Sequence, residues 1–110
     1  MAIHIFDTSQ ATDINADTSF DTYVITEGVY ISSTSDAVDG DNDQGSKTIV
    51  VHGNLISGQD AIDLGTGSLG GSNEVAISTT GNLVSGDDGI ESSGGNLFVS
   101  NRGSIFAEGD

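Results

Sequence analysis

Cysteine, proline and tryptophan are missing from this sequence, and basic side chains nearly so: two Lys or Arg stand against 17 Asp or Glu, a formal net charge of −15. Without Cys there is neither a disulfide framework nor thiol chemistry. That suits an extracellular protein without disulfides and a cytosolic one alike. Without Pro, turns fall to Gly, Asn and Asp, which tolerate positive φ or bond to their own backbone. The surplus of acid repels partners with anionic surfaces, both nucleic acid and membrane lipid, favours solubility, and is compatible with bound cations. No apolar run approaches the length of a membrane span. The N-terminus has no basic region and no continuous apolar segment, so it does not read as a cleaved secretory signal. Four Phe and two Tyr are the only aromatics, and apolar residues make up 35%. Such a list cannot fill a thick core, but it can fill a thin one repeated along an axis.

What is present is a repeat. Gly53-Asn54-Leu55-Ile56-Ser57 leads to Asp60-Ala61-Ile62-Asp63, and Gly81-Asn82-Leu83-Val84-Ser85 leads to Asp88-Gly89-Ile90-Glu91. Gly28-Val29-Tyr30-Ile31-Ser32 precedes Asp36-Ala37-Val38-Asp39, and Gly103-Ser104-Ile105-Phe106-Ala107 runs towards Asp110. The leading glycines lie 25, 28 and 22 residues apart. A period in this range decides the architecture. Each unit holds three short β-branched or aliphatic runs, such as Thr48-Ile49-Val50-Val51, separated by turn residues. The disordered acidic tail that the charge alone would suggest lacks such runs. The reading is one all-β domain, a right-handed parallel β-helix of about four three-sided coils, starting near residues 22, 47, 74 and 96. Residues 1–21 form an N-terminal cap or an incomplete coil.

Alignment on the leading glycines predicts which side chains face inward. On the first side these are Val24, Ile49, Ile77 and Val99, with Val51, Val75 and Leu97 beside them. Val38, Ile62 and Ile90 form an aliphatic ladder on the third side. On the second side Leu55 and Ile56 are both apolar, as are Leu83 and Val84, so alternation leaves the inward member of each pair open. Asn54 and Asn82 align and predict a ladder of two rungs, bounded by Val29 and Ser104.

Two acidic ladders emerge from the same alignment: Asp36, Asp60 and Asp88, with Asp110 at the same offset, and Asp39, Asp63 and Glu91. Stacked carboxylates repel one another. They splay into solvent, accept turn N–H groups, or hold a hard cation, and calcium takes six to eight oxygens. The calcium candidates are Asp39, Asp41, Asp43, Asp60, Asp63, Asp88 and Glu91. They match neither the helix-loop-helix calcium pattern nor the glycine-aspartate nonapeptide, which favours ordinary solvated acids over a calcium site. No catalytic set is assigned. Paired acids such as Asp60 and Asp63 do not make a glycosidase dyad, because a short rod offers little material for a cleft to hold the sugar. The only two basic residues, Lys47 and Arg102, lie in different coils. His4 and His52 are far apart in sequence and lie in different contexts, and the three or four suitably spaced ligands that a zinc site wants do not show. Gly65 to Gly71 lacks the Gly-Lys-Ser/Thr ending of a phosphate loop.

The stretches Ile49-Val50-Val51-His52-Gly53-Asn54-Leu55-Ile56-Ser57-Gly58 and Gly81-Asn82-Leu83-Val84-Ser85-Gly86 resemble the degenerate β-helical repeats of large secreted bacterial proteins. These are the autotransporter passenger domains and the adhesin-like proteins exported with haemolysin-type repeat proteins. The resemblance covers residues 22–110 and is specific for the architecture. It implies an extracellular or surface-linked structural or adhesive module. The calcium-binding nonapeptides of such proteins are absent here. The expected function is non-enzymatic: a structural module that self-associates through its coil ends. The alternatives are an adhesive or glycan-binding module with structural calcium, and a fragment of a polysaccharide-acting enzyme.

Overall fold

The computed structural model describes residues 3–16, 21–40, 47–64, 72–92 and 96–108. Its strands, in chain order, are β1 (Ile3–Phe6), β2 (Ile14–Asn15), β3 (Thr22–Ile25), β4 (Tyr30–Ser33), β5 (Val38–Asp39), β6 (Thr48–Val51), β7 (Asn54–Ser57), β8 (Ile62–Asp63), β9 (Ser72–Ile77), β10 (Asn82–Ser85), β11 (Ile90–Glu91), β12 (Asn96–Asn101) and β13 (Ser104–Ala107). They build three sheets, ordered β1-β3-β6-β9-β12, β4-β7-β10-β13 and β2-β5-β8-β11. Every pairing is parallel and joins a strand to its counterpart one turn away. The fold is an all-β parallel solenoid, consistent with right-handed winding. Three turns have all three strands: β3-β4-β5, β6-β7-β8 and β9-β10-β11. Residues 3–16 add a turn whose second side is reduced to one bridge, Gln10 to Ile31. β12 and β13 supply two sides of a further one.

Strand alternation sorts the side chains. Tyr23, Ile49 and Val75 are in register on the first side, as are Ile25, Val51 and Ile77, and all six are buried. Ile31, Leu55 and Leu83 fill the second side. Ile14, Val38 and Ile62 fill the third, and Ile90 continues that column, partly buried. The open choice on the second side resolves to Leu55 and Leu83 inward, Ile56 and Val84 outward.

One inward assignment fails. Val24 faces outward, and Tyr23 and Ile25 take the interior. The corners between first and second sides differ in length. Two residues, His52 and Gly53, separate β6 from β7, whereas Thr26 to Val29 separate β3 from β4. The longer corner turns through Gly28 at φ 82°, a left-handed conformation that suits Gly. The residue equivalent to Gly53 is therefore Val29: the N–H of Asn54 donates to Val29 O, and that of Asn82 to Gly53 O. A Cβ on Gly53 would run into the Thr26 carbonyl oxygen. Alignment on Gly28 is one residue out of phase, and in a strand one residue inverts the face. The same shift puts Tyr30, not Val29, next to Asn54. The two-rung Asn ladder stands, with Asn82 Nδ2 donating to Asn54 Oδ1 at 2.9 Å. Leu97 and Val99 lie in the inward columns, yet are 38% and 46% exposed because β12 is a rim strand.

The neighbours Leu55 and Ile56 test this sorting. Leu55→Ala removes a fully buried side chain and should cost about 2–5 kcal/mol. Ile56→Ala, on a side chain 40% exposed, should cost under about 1.5 kcal/mol. Urea unfolding of both variants measures the difference, and equal losses would contradict the assigned faces.

Candidate functional site: a stacked carboxylate column

On the third side the backbone makes a tight bend before each two-residue strand, and every complete turn places an Asp there. Asp36, Asp60 and Asp88 stack in one column, and the bonding between them has a direction. The N–H of Asp60 donates to Asp36 Oδ1, and the N–H of Asp88 donates to Asp60 Oδ1, both at 3.0 Å. Asp36 and Asp60 thus each satisfy the bend of the following turn, a local role for which Asp is suited. Beside them, Asp39, Asp63 and Glu91 are in register on β5, β8 and β11. Both acidic ladders predicted from the repeat are present. Asp41, Asp43 and Asp110 lie outside the described residues.

The two ladders converge. One carboxylate oxygen each from Asp36, Asp60 and Asp63 lie within 4.8 Å of one another, and so do those from Asp60, Asp87 and Asp88. Asp60 belongs to both groups and is buried, 7% exposed. Asp87 joins the cluster although the repeat alignment did not single it out. Two like charges at about 4 Å repel by about 1 kcal/mol in water and about 4 kcal/mol at the effective dielectric of a protein surface. Burial and this crowding both raise the affinity of the column acids for protons. Burial pushes the Asp36 carboxyl up to about 6, with further upward pressure from Asp63, Asp60 and Asp39 against the downward pull of the Asp60 N–H. Burial likewise raises Asp60, helped by Asp88, Asp63 and Asp87 and opposed by the Asp88 N–H. Glu91 is raised chiefly by the charge of Asp60, then by burial. Chemically the arrangement is a proton reservoir, or a set of hard oxygen donors of the kind Ca²⁺ takes.

The basic residues are divided. Arg102 is exposed, whereas Lys47 is 1% exposed and faces inward. Its Nζ donates to Gly40 O at 2.8 Å, and its N–H donates to Asn73 Oδ1 at 3.1 Å. Asp21, Lys47 and Asn73 each precede an inward first-side residue by two positions, and all three are buried. This interior polar column was not anticipated, although strand parity carries the signal: Lys47 shares the face of Ile49 and Val51. His4 stacks on Tyr23 with ring centroids 4.7 Å apart, and its Nε2 lies 2.8 Å from Asp21 Oδ2. His52 lies at a corner with Nδ1 2.9 Å from Ser78 Oγ, well separated in the chain from His4. A hollow of about 240 Å³ is lined by Ala11, Ser32, Ser33, Thr34 and Ile56. None of the column acids borders it.

A comparison with protein-family models, curated proteins and solved structures finds no match. The assignment to a small β-solenoid rests on the strand register itself.

Raised carboxyl pKa values fix the sign of the pH dependence. The folded chain holds these protons more tightly than the unfolded chain does. The associated stability is complete below the ordinary Asp value of 3.8 and is lost as pH rises through about 6. The melting temperature should therefore rise between about pH 7.5 and about pH 5, contrary to the usual acid lability of carboxylates that are paired in the native state. Asp36→Asn keeps an acceptor for the Asp60 N–H and removes the charge. It should raise the melting temperature at about pH 7.5 and flatten the profile. A melting temperature that falls on the same acidification would contradict the proton-holding column.

Proposed function

We propose that the chain is a non-enzymatic structural β-solenoid module of a secreted or surface-associated bacterial protein, and that its coil ends pair between chains. The observation that carries the self-association is the state of the rims. Among the described residues, β1 and β12 each pair on one side only. At the β12–β13 rim, the inward-column residues Leu97, Val99 and Ile105 are 38%, 46% and 37% exposed. Unpaired edges with apolar side chains are templates for further strands. The regular stack, the thin aliphatic core and the shallow hollow support a scaffold over an enzyme. The resemblance of the Gly-Asn-Leu-Ile/Val-Ser stretches to secreted bacterial repeats supports the extracellular setting. Light scattering across a hundredfold range of concentration should give a mass that rises above 11.1 kDa. A constant 11.1 kDa particle would refute the pairing.

The carboxylate triples favour a second reading, an adhesive or glycan-binding module with structural calcium. On that reading calcium raises the melting temperature over chelator at matched ionic strength. An identical midpoint in both leaves the acids as proton holders.

A further inference from the structure

We infer that the association is head to tail and continues the register of the fold, with β12 of one copy receiving β1 of the next copy of this chain. The inference rests on the self-association proposed above and adds its geometry.

Backbone phase provides the first argument. The carbonyls of Phe6, Ile25, Val51 and Ile77 accept from the N–H groups of Thr26, His52, Ser78 and Arg102 in turn. One position defines the hydrogen-bonding step of the whole first side. The carbonyl in the next equivalent place is that of Asn101, paired with Ile77, and the N–H in the preceding place is that of Asp7, which follows Phe6. A second copy stacked on β12 in this phase sets Phe98, Val99, Ser100 and Asn101 against Ile3, His4, Ile5 and Phe6. The rim strands are parallel and share one column pattern, so the junction repeats a step already made by four pairs in the first sheet.

Side-chain chemistry agrees with this phase at the columns where the rims differ most from the middle turns. Phe98 and Ile3 are both apolar, 61% and 68% exposed, and would cover each other. Arg102 and Asp7, both exposed, would come together as opposite charges on the corner that follows. On the second side, the pairing of Gln10 with Ile31 extends the outward column of Phe106, Val84, Ile56 and Ser32 to Ala11. The incoming Phe106 ring, 63% exposed, then meets a small residue at the edge of the hollow lined by Ala11, Ser32 and Ile56. The opposite arrangements lose these matches. Two β12 rims face to face, or two β1 rims, would have to pair antiparallel, which breaks the parallel step of the sheet and leaves Arg102 with no Asp7 to meet. A contact of unlike rims is heterologous and does not close on itself, so it extends into filaments. The net charge of −15 opposes every such contact, and added salt should strengthen it.

The absence of native Cys makes the geometry testable by cross-linking. Ile5 and Ser100 share an outward column, so stacked copies would hold them about 4.8 Å apart, within disulfide reach. Ile5→Cys and Ser100→Cys chains, mixed and oxidised, should give a covalent dimer, whereas neither variant alone should. Efficient cross-linking of one variant alone would overturn the head-to-tail arrangement while leaving self-association intact. Association seen by light scattering with no cross-link in the mixture would also overturn it. A monomer under all conditions would instead refute the reading on which the inference rests. A charge exchange provides a second test that spares the strands. Asp7→Lys and Arg102→Glu should each weaken association several-fold, and the two in one chain should restore it. Failure of the double variant to recover would count against the Arg102–Asp7 contact.

Discussion

Parallel pairing in exact step is the constraint on which everything else depends. Each strand meets its counterpart one turn on, about 4.8 Å away, so like sits on like in every column. For aliphatic side chains this is favourable. The column Ile31, Leu55 and Leu83 needs no large residue to fill the interior, because each side chain covers the next. For Asn it is also favourable, since one amide donates to the next. For carboxylates it is costly. The chain accepts that cost on the third side, where Asp36 and Asp60 each take a backbone N–H from the following turn. The stacking that makes the core also crowds the acids.

The acid column therefore reads first as architecture. A bend repeated every turn leaves an N–H that needs an acceptor, and Asp in the preceding turn supplies it. The crowding of charge is the by-product, and it adds to the upward shift that burial gives the Asp36 carboxyl. A hard cation would answer the same crowding with different chemistry. Nothing in either answer calls for a cleft, and the hollow beside Ser32 and Ile56 lies among hydroxyl and aliphatic side chains.

Much of this was legible in the sequence because columns are spaced by the repeat. The third-side ladder of Val38, Ile62 and Ile90 and both acidic ladders follow directly from that spacing. Corner length was not legible. A chain aligned on its glycines treats Gly28 as the equivalent of Gly53, but Gly28 is the φ-positive residue of a longer corner. That single position moves Val24 from the interior to the surface. Convergence of the two ladders on Asp60 was not legible either, since it depends on how two adjacent columns lean. The burial of Lys47 was legible by parity, since it shares the inward face of Ile49 and Val51.

Lys47 also has a bearing on how the chain finds its fold. Aliphatic columns are nearly interchangeable from turn to turn, so a chain that skipped a turn while winding would still bury Ile against Val or Leu. It would not bring the Asn73 amide oxygen to the Lys47 N–H one turn away, and it would set the buried Lys47 beside an aliphatic rung, a large penalty in an interior this thin. In a molecule whose rungs otherwise look alike, that polar column distinguishes one turn from the next.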